Sequence, residues 1–389
     1  MITKIILNNF KSFKEGTQID FLKTNYAILP GNVSDCGVLK GAIFVGANAS
    51  GKSNIILSIK LLLDFLFRER NMNSGLFRCM FNSNPKYSID YSFLIDDHNI
   101  RYCFEVDTRS NFITENLYVN NNLMMERMGT SAKSYIADAN GISYMEDDVD
   151  RETLFLRTLY FNTKFAGNSA LKTWMDYLSN SIYINLFDKT ILSYGKENFQ
   201  LTQYLKEDGC NHINNFFNDH NFEQNIEYAN ESHGKNITLK VSDDENEKSI
   251  FFKRKDIDIP IPFSEESLGN QNLLRLLPAF LSVANKSGIL LVDEFSSGFH
   301  NDLEELLVRY FMQQAKSSQM LFVSHSTNLL SNTLLRPDQE FSVEFNGIQG
   351  STVKRFSSEQ PRSGQNIEKM YVSGVFGGLP NYKDLNDEN

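Results

Sequence analysis

The sequence predicts an α/β fold in which a mixed sheet carries an N-terminal antiparallel β-subdomain and is interrupted by a helical insertion. Three observations predict it. The apolar run Gly41–Val45 passes through a glycine-bearing turn directly into a long apolar helix. Between residues 87 and 119 the pattern changes to strands separated by acidic and asparagine-rich turns. From Ser264 onward helix and strand patterns alternate, as expected of a sheet joined by crossover helices. With 389 residues the chain has room for two or three lobes. The expected division is an N-terminal lobe over residues 1–150, a helical insertion over 151–235 and a C-terminal lobe over 236–389.

In chain order, Ile2–Asn8 and residues 17–22 alternate as a strand pair around the polar turn at Lys14 to Gly16. The helix that follows Gly41–Val45 places Lys60, Asp64 and Arg68 at i, i+4 and i+8, which predicts one wet stripe on a buried cylinder. Segments 88–95, 100–106 and 114–119 read as an antiparallel meander. Residues 152–222 carry helical patterning with Asn- and Lys-rich breaks, and the expectation there is all helix. Strand patterns return at 237–241, Ser249–Arg254, Glu340–Phe345 and Ser351–Arg355.

Composition narrows the class. Lys and Arg number 38 against 48 Asp and Glu, so a globally basic nucleic-acid coat or a polybasic membrane binder is excluded. The hydrophobic content of 41% supports a packed core. The four cysteines, Cys36, Cys79, Cys103 and Cys210, show no Cys-x-x-Cys spacing and predict reduced thiols in a cytoplasmic protein. The most apolar run, 55–67, is broken by Lys60 and Asp64 and is shorter than the roughly twenty residues of a membrane span.

Gly46-Ala47-Asn48-Ala49-Ser50-Gly51-Lys52-Ser53 has the spacing of a phosphate-binding P-loop. Terminal glycines let successive N–H groups turn inward around phosphate oxygens, Lys52 supplies a point charge, and Ser53 offers a hydroxyl to Mg²⁺. The cofactors this predicts are ATP and Mg²⁺. A second element, Gly288 to Glu294, is an apolar run ending in two acids. Asp293 is expected to hold Mg²⁺ through water and Glu294 to polarise an attacking water. Ser267-Leu268-Gly269-Asn270-Gln271 precedes a helical pattern whose N-terminus would offer free N–H groups to an anion. The run Phe322 to Ser326 ends a strand at His325, whose neutral imidazole could contact a γ-phosphate.

These segments together resemble the ABC/SMC-related ATPases of the OLD and RecF-like kind, and most closely the bacterial ATP-binding group, labelled AAA, of phage-defence operons. Three stretches carry the resemblance: Asn9-Phe10-Lys11-Ser12-Phe13 with the P-loop; Glu266 to Gly269 through Asp293-Glu294 to Ser297-Gly298-Phe299-His300; and residues 362–380 with Gly377-Gly378-Leu379-Pro380. The resemblance implies two heads paired head-to-tail, each ATP lying between one P-loop and the partner's signature segment. On that pattern Lys11, Gly46, Asn48, Ala49, Ser50, Gly51, Lys52, Ser53 and Asn54 contact the nucleotide in cis, and Ser267 and Gly269 in trans. Ser53 and Asp293 would be the metal ligands, Glu294 and His325 the catalytic pair, and Phe299-His300 part of the dimer seam. Asn270 replaces the second glycine of the usual signature, and no glutamine stands at the Q-loop position, expected near residues 81–84. Both departures imply slow or conditional hydrolysis. The residues after His325 leave no room for the Toprim nuclease domain of OLD proteins, so the expectation is that any toxic or nucleolytic activity belongs to a separate effector subunit. A RecF-like repair ATPase clamping duplex DNA is the alternative, and it requires a basic face.

Other clusters read as structure. Asp302 with Glu305 fits a capping box. Cys210, His212 and His220 lack a second ligand pair for zinc. Asp243-Asp244-Glu245 suits a hairpin turn, and Lys253-Arg254-Lys255 a solvated face.

Overall fold

The computed structural model describes residues 1–379 except 69, 137–144, 198, 241–243, 245–246 and 298. Parts of the expected turn at 243–245 and strand at 237–241, together with Gly298 and Pro380, lie outside the described residues.

The first half of the chain runs β1 (Ile2–Asn8), β2 (Thr17–Asp20), β3 (Gly41–Val45), α1 (Lys52–Phe67), β4 (Lys86–Ile95), β5 (His98–Asp107), β6 (Phe112–Val119), β7 (Asn122–Met128), β8 (Ser131–Ser134) and β9 (Met145–Glu146). Next come α2 (Phe155–Thr163), α3 (Ser169–Ser179), β10 (Ile182–Asn185), β11 (Thr190–Ser193), α4 (Leu201–Glu207) and α5 (Asn211–Asp219). The remainder is β12 (Gln224–Ala229), β13 (Glu231–His233), β14 (Thr238–Lys240), β15 (Ser249–Arg254), β16 (Ile261–Pro262), α6 (Leu268–Asn285), β17 (Ile289–Asp293), α7 (Asn301–Gln314), β18 (Gln319–Val323), β19 (Glu340–Phe345), β20 (Ser351–Arg355) and α8 (Ile367–Val372).

Two large sheets organise these elements. The central one has the order β11-β10-β17-β18-β3-β19-β20, parallel from β10 to β19 and antiparallel at both edges. The other is an eight-stranded antiparallel sheet, β2-β1-β4-β5-β6-β7-β8-β9. Every residue of β3, β17 and β18 is buried. Continuous apolar runs are what a parallel strand covered on both faces requires.

Side-chain alternation sends each strand into two cores. Ala42, Phe44, Leu291, Leu321 and Val323 face the antiparallel sheet, α1, α2 and α3. Ile43, Val45, Leu290, Val292, Met320 and Phe322 face α4, α5, α6 and α7. Helix α1 buries Ile55, Ile56, Ile59, Leu62, Leu63 and Leu66. At about 1.5–3 kcal/mol per buried large aliphatic side chain, that face is enough to hold the loop preceding the helix in place. Gln319 ties the sheets together, accepting from the Ile2 N–H at 2.6 Å and Tyr177 Oη at 2.9 Å while donating to the carbonyls of Ile2 and Leu39.

Three expectations are corrected. Residues 152–222 are not all helix, because β10 and β11 lie within them and β10 joins the central sheet beside β17. Four-residue strands are too short to display a period, and β10 is a strand only because its register against β17 buries Ile182 and Ile184. The wet stripe on α1 is dry at its centre. Asp64 is buried, paired with Lys60 at 2.7 Å and Arg70 at 2.8 Å, and accepts from Tyr194 Oη at 2.8 Å. The residues after β11 cover that helix face, which its spacing alone does not reveal. Finally, α7 begins at Asn301 and is capped by His300, whose Nδ1 accepts from the Asp302 N–H at 3.4 Å; Asp302 is therefore inside the helix.

In the antiparallel sheet, Glu115 on β6 and Arg127 on β7 form a fully buried pair at 3.0 Å. Glu115 also accepts from Tyr102 Oη and from the N–H groups of Phe155 and Leu156, anchoring the first turn of α2. The Arg127 guanidinium is spent on the carbonyls of Gly129, Asp150 and Thr153. Glu115→Ala leaves a buried cation unpaired and is expected to cost about 3–5 kcal/mol. Urea unfolding checks this, and an unchanged midpoint would show that the pair is not a structural anchor.

Candidate active site

The site is built where the carboxyl ends of β3, β17 and β18 meet the N-terminus of α1. Gly46 has φ 151°, and a Cβ there would lie 2.3 Å from the Val343 carbonyl oxygen of β19. Gly51, at φ 108°, caps α1, and its Cβ would meet Ser12 Oγ at 2.5 Å and Ser351 Oγ at 2.7 Å. Both positions therefore need glycine for conformation and for space. Ala49 takes a left-handed φ of 62°, so the intervening loop is tightly curled.

Lys52 is 5% exposed, and its Nζ donates to the carbonyls of Gly46 at 2.9 Å and Ala47 at 2.8 Å. Burial lowers its pKa, opposed by the charges of Glu294 and Asp293. The ammonium thus sits inside the loop with neutral carbonyls as its hydrogen-bond partners. Ser53 Oγ donates to Asp293 Oδ1 at 2.9 Å across 240 positions of sequence. Burial raises the Asp293 carboxyl pKa, partly offset by that hydroxyl. A serine hydroxyl beside a carboxylate is a hard-oxygen pair of the kind Mg²⁺ prefers, so these residues fit the metal. Lys52 and the curled loop likewise fit a triphosphate.

Glu294 follows β17 at φ 55°, a left-handed conformation costing a residue with a Cβ roughly 1 kcal/mol or more. The turn closes by the Ser297 N–H donating to the Glu294 carbonyl and brings the carboxylate to 3.7 Å from His325 Nε2. His325 is held at the end of β18 by its N–H donating to Ser296 Oγ. Burial, and next the Lys52 charge, depress the imidazole pKa, leaving the ring neutral at pH 7. Lys52, Ser53, Asp293, Glu294 and His325 therefore converge from three strand ends.

The other expected residues are distributed differently. Asn48 and Ala49 are exposed on the loop, Ser50 is buried beneath it, and Asn54 donates to Ser12 Oγ at 2.9 Å. Lys11 lies over the Phe77 ring at 5.7 Å, and its pKa is lowered by burial and then by Arg70; among the described residues no hydrogen bond or ion pair links it to the P-loop. Ser267 caps α6, its Oγ accepting from the Asn270 N–H at 3.3 Å, and the helix begins at Leu268, earlier than the sequence pattern indicates. Ser267 is exposed and Gly269 half-exposed, and among the described residues no hydrogen bond links either to the P-loop of its own chain. Phe299 packs on Phe295 at 6.0 Å.

Four contributors were missed. Ser12 and Ser351 brace the P-loop, Ser351 Oγ donating to the Ser50 carbonyl at 2.6 Å. The Gly378 carbonyl accepts from the Ala47 N–H at 2.8 Å, which packs the C-terminal glycine pair on the loop. Asn185, the last residue of β10, is the register partner of Asp293. Asn185 thus stands at the carboxyl end of the strand beside the acidic strand, far from residues 81–84, where Phe81 packs on Phe345 at 5.3 Å. Ser12, within the Asn9 to Phe13 stretch, and Gly378, within Gly377 to Pro380, lay in segments the sequence had singled out; Ser351 and Asn185 had no local signal.

A P-loop at the carboxyl end of an interior strand of a largely parallel sheet, an acidic strand separated from it by one strand, and an adjoining antiparallel sheet make up the architecture of a P-loop nucleotide-binding fold. Residues 180–331, from just before β10 to just beyond His325, match the family model described as "AAA domain, putative AbiEii toxin, Type IV TA system". A comparison with curated proteins found no match. Among solved structures the chain aligns with the SMC head domain from Thermotoga maritima, at 15% identity and TM-score 0.47 over 90% of this chain and 97% of that one. It also aligns with an SmcHead bound to the C-winged helix domain of ScpA, at 14% identity and TM-score 0.48 over 90% and 96%. A third is an Smc head with an extended coiled coil bound to the C-terminal domain of ScpA derived from Pyrococcus furiosus, at 11% identity and TM-score 0.48 over 90% and 95%.

The His325 environment gives a direct test. Its titration, followed by NMR, should have a midpoint below the ordinary 6.5. Lys52→Met should raise that midpoint, because a cation that opposes imidazolium formation is removed. A midpoint at or above 6.5 in the unaltered chain would contradict the site geometry.

Proposed function

We propose that the protein binds Mg²⁺–ATP at the P-loop, hydrolyses it slowly, and pairs with a second copy so that Ser267 and Gly269 complete the opposite site. The observation that carries this is the Ser53–Asp293 contact together with the Glu294–His325 approach, which assembles a nucleotide, metal and water-activating set from three distant segments. Bound Mg²⁺ would neutralise phosphate charge and hold the terminal phosphates in one orientation. Ser53 and Asp293 would hold that ion. Lys52 provides the point charge and the loop N–H groups the cradle. Glu294 accepts the proton of the attacking water, and neutral His325 is oriented toward the same space.

The finer role we infer is that of a nucleotide-operated sensor or scaffold that restrains a separate nuclease or toxin subunit in anti-phage defence. The family description, which names a toxin of a toxin–antitoxin system, supports such a module. So does the exposure of Ser267 and Leu268 at the start of α6, where a second copy could reach them. The DNA-clamp alternative gains little from the basic run. Lys253 is paired with Glu227 at 2.8 Å and Arg254 with Glu266 at 2.7 Å, so two of its three charges are already engaged. A cytoplasmic location fits this reading. Among the described residues no helix is long and apolar enough to cross a membrane.

Glu294→Gln is expected to retain ATP binding, to slow phosphate release at least about a hundredfold, and to accumulate an ATP-dependent dimer visible by light scattering. Unchanged turnover would remove Glu294 as the base. Ser267→Arg should leave ATP binding intact while abolishing both dimerisation and turnover. Wild-type hydrolysis by that variant would refute the trans site and leave the P-loop assignment standing.

A further inference from the structure

A second cavity of ≈ 500 Å³ lies away from the P-loop, between α6, the start of α4, the β10–β11 turn and the small sheet β12-β15-β16. Its size is within the roughly 300–1,000 Å³ typical of ligand sites. Three cations line it: Lys189 from the turn, Lys248 just before β15, and Arg275 from α6. No carboxylate is among its described lining residues. In a chain with ten more acids than bases, three convergent cations without an acidic neighbour are a local inversion of charge.

The cations are positioned but not neutralised. The Arg275 guanidinium stacks on the Phe263 ring at 5.0 Å, and its side-chain hydrogen bonds go to the neutral Asn272 and Gln271 oxygens at 3.4 Å. Lys248 Nζ lies 5.9 Å from the Tyr228 ring centre. Among the described residues none of the three cations has a carboxylate partner. A planar guanidinium fork and two exposed lysines lining one cavity suit a group with several anionic oxygens. Thr190 contributes a hydroxyl to the same wall, and the aromatic side chains Tyr228 and Phe263 provide apolar surface for an organic body.

We propose that this cavity is a second anion site that binds a phosphomonoester on a planar body, of the nucleoside monophosphate class. The site is independent of the P-loop. Its walls nevertheless include α6, whose N-cap is Ser267, and the turn that leaves β10 just after Asn185, the register partner of Asp293.

The test uses the full chain carrying Lys52→Ala, which silences the P-loop, titrated calorimetrically with AMP, GMP, CMP, UMP and inorganic phosphate. At least one nucleotide should bind with one site per chain, about tenfold or more tighter than inorganic phosphate. The exposed pair Lys189→Glu and Lys248→Glu should weaken that binding at least about tenfold without altering thermal unfolding, and Arg275→Gln should do so separately. Absence of saturable binding, binding unaffected by these substitutions, or equal affinity for phosphate and nucleotides would each overturn the proposal.

Discussion

The parallel ladder from β10 through β17, β18 and β3 to β19 is the constraint on which everything else rests. Parallel pairing aligns the carboxyl ends of these strands along one edge, and ligands of open α/β sheets bind at such an edge. Here that edge carries Asn185, Asp293, His325 and Gly46 from segments far apart in the chain. The ladder survives because both faces are covered, one by α1 and the antiparallel sheet, the other by α6 and α7. Shifting any of these strands by one residue would exchange the two cores and turn the terminal acids away.

Local strain and close packing then refine the site. Glu294 adopts a left-handed backbone that a free chain would avoid, and the turn through Ser297 holds it there. Gly46 and Gly51 are pressed against Val343, Ser12 and Ser351, so the loop is moulded by β19, β20 and the N-terminal turn as well as by its own spacing. The Gly378 carbonyl on the Ala47 N–H adds the C-terminal segment to that mould. These bracing segments all lie far from the P-loop in sequence. A change at one of these contacts would reach the phosphate cradle without touching a motif residue.

The electrostatics follow from burial. Lys52 and Asp293 are both withdrawn from water, which shifts each toward its neutral form, while their mutual proximity works against the shift. A polyanion with its counter-cation would relieve both penalties, since the lysine gains an anion and the carboxylate a cation. For His325, partial burial and then the nearby Lys52 charge lower the imidazole pKa, which favours the neutral ring. The buried Glu115–Arg127 pair works by the opposite logic, each charge being fully satisfied within the protein.

The P-loop, the acidic strand and the strand ending near His325 were legible in the amino-acid order because each is a contiguous run whose composition answers a local need. Glycine permits the turn, continuous Ile, Leu and Val permit a doubly covered strand, and a polar residue follows where the strand ends. The strands at Glu340–Phe345 and Ser351–Arg355 were legible for the same reason. Sequence by itself did not determine β10, the burial of Asp64, or the places of Ser12, Ser351, Gly378 and Asn185. Each depends on a partner far along the chain: β10 on β17, Asp64 on Tyr194, Ala47 on Gly378. Likewise the meeting of Lys189, Lys248 and Arg275 has no counterpart in spacing. Local runs report what a segment can become; only packing, which pairs residues without regard to their separation, decided what each would face.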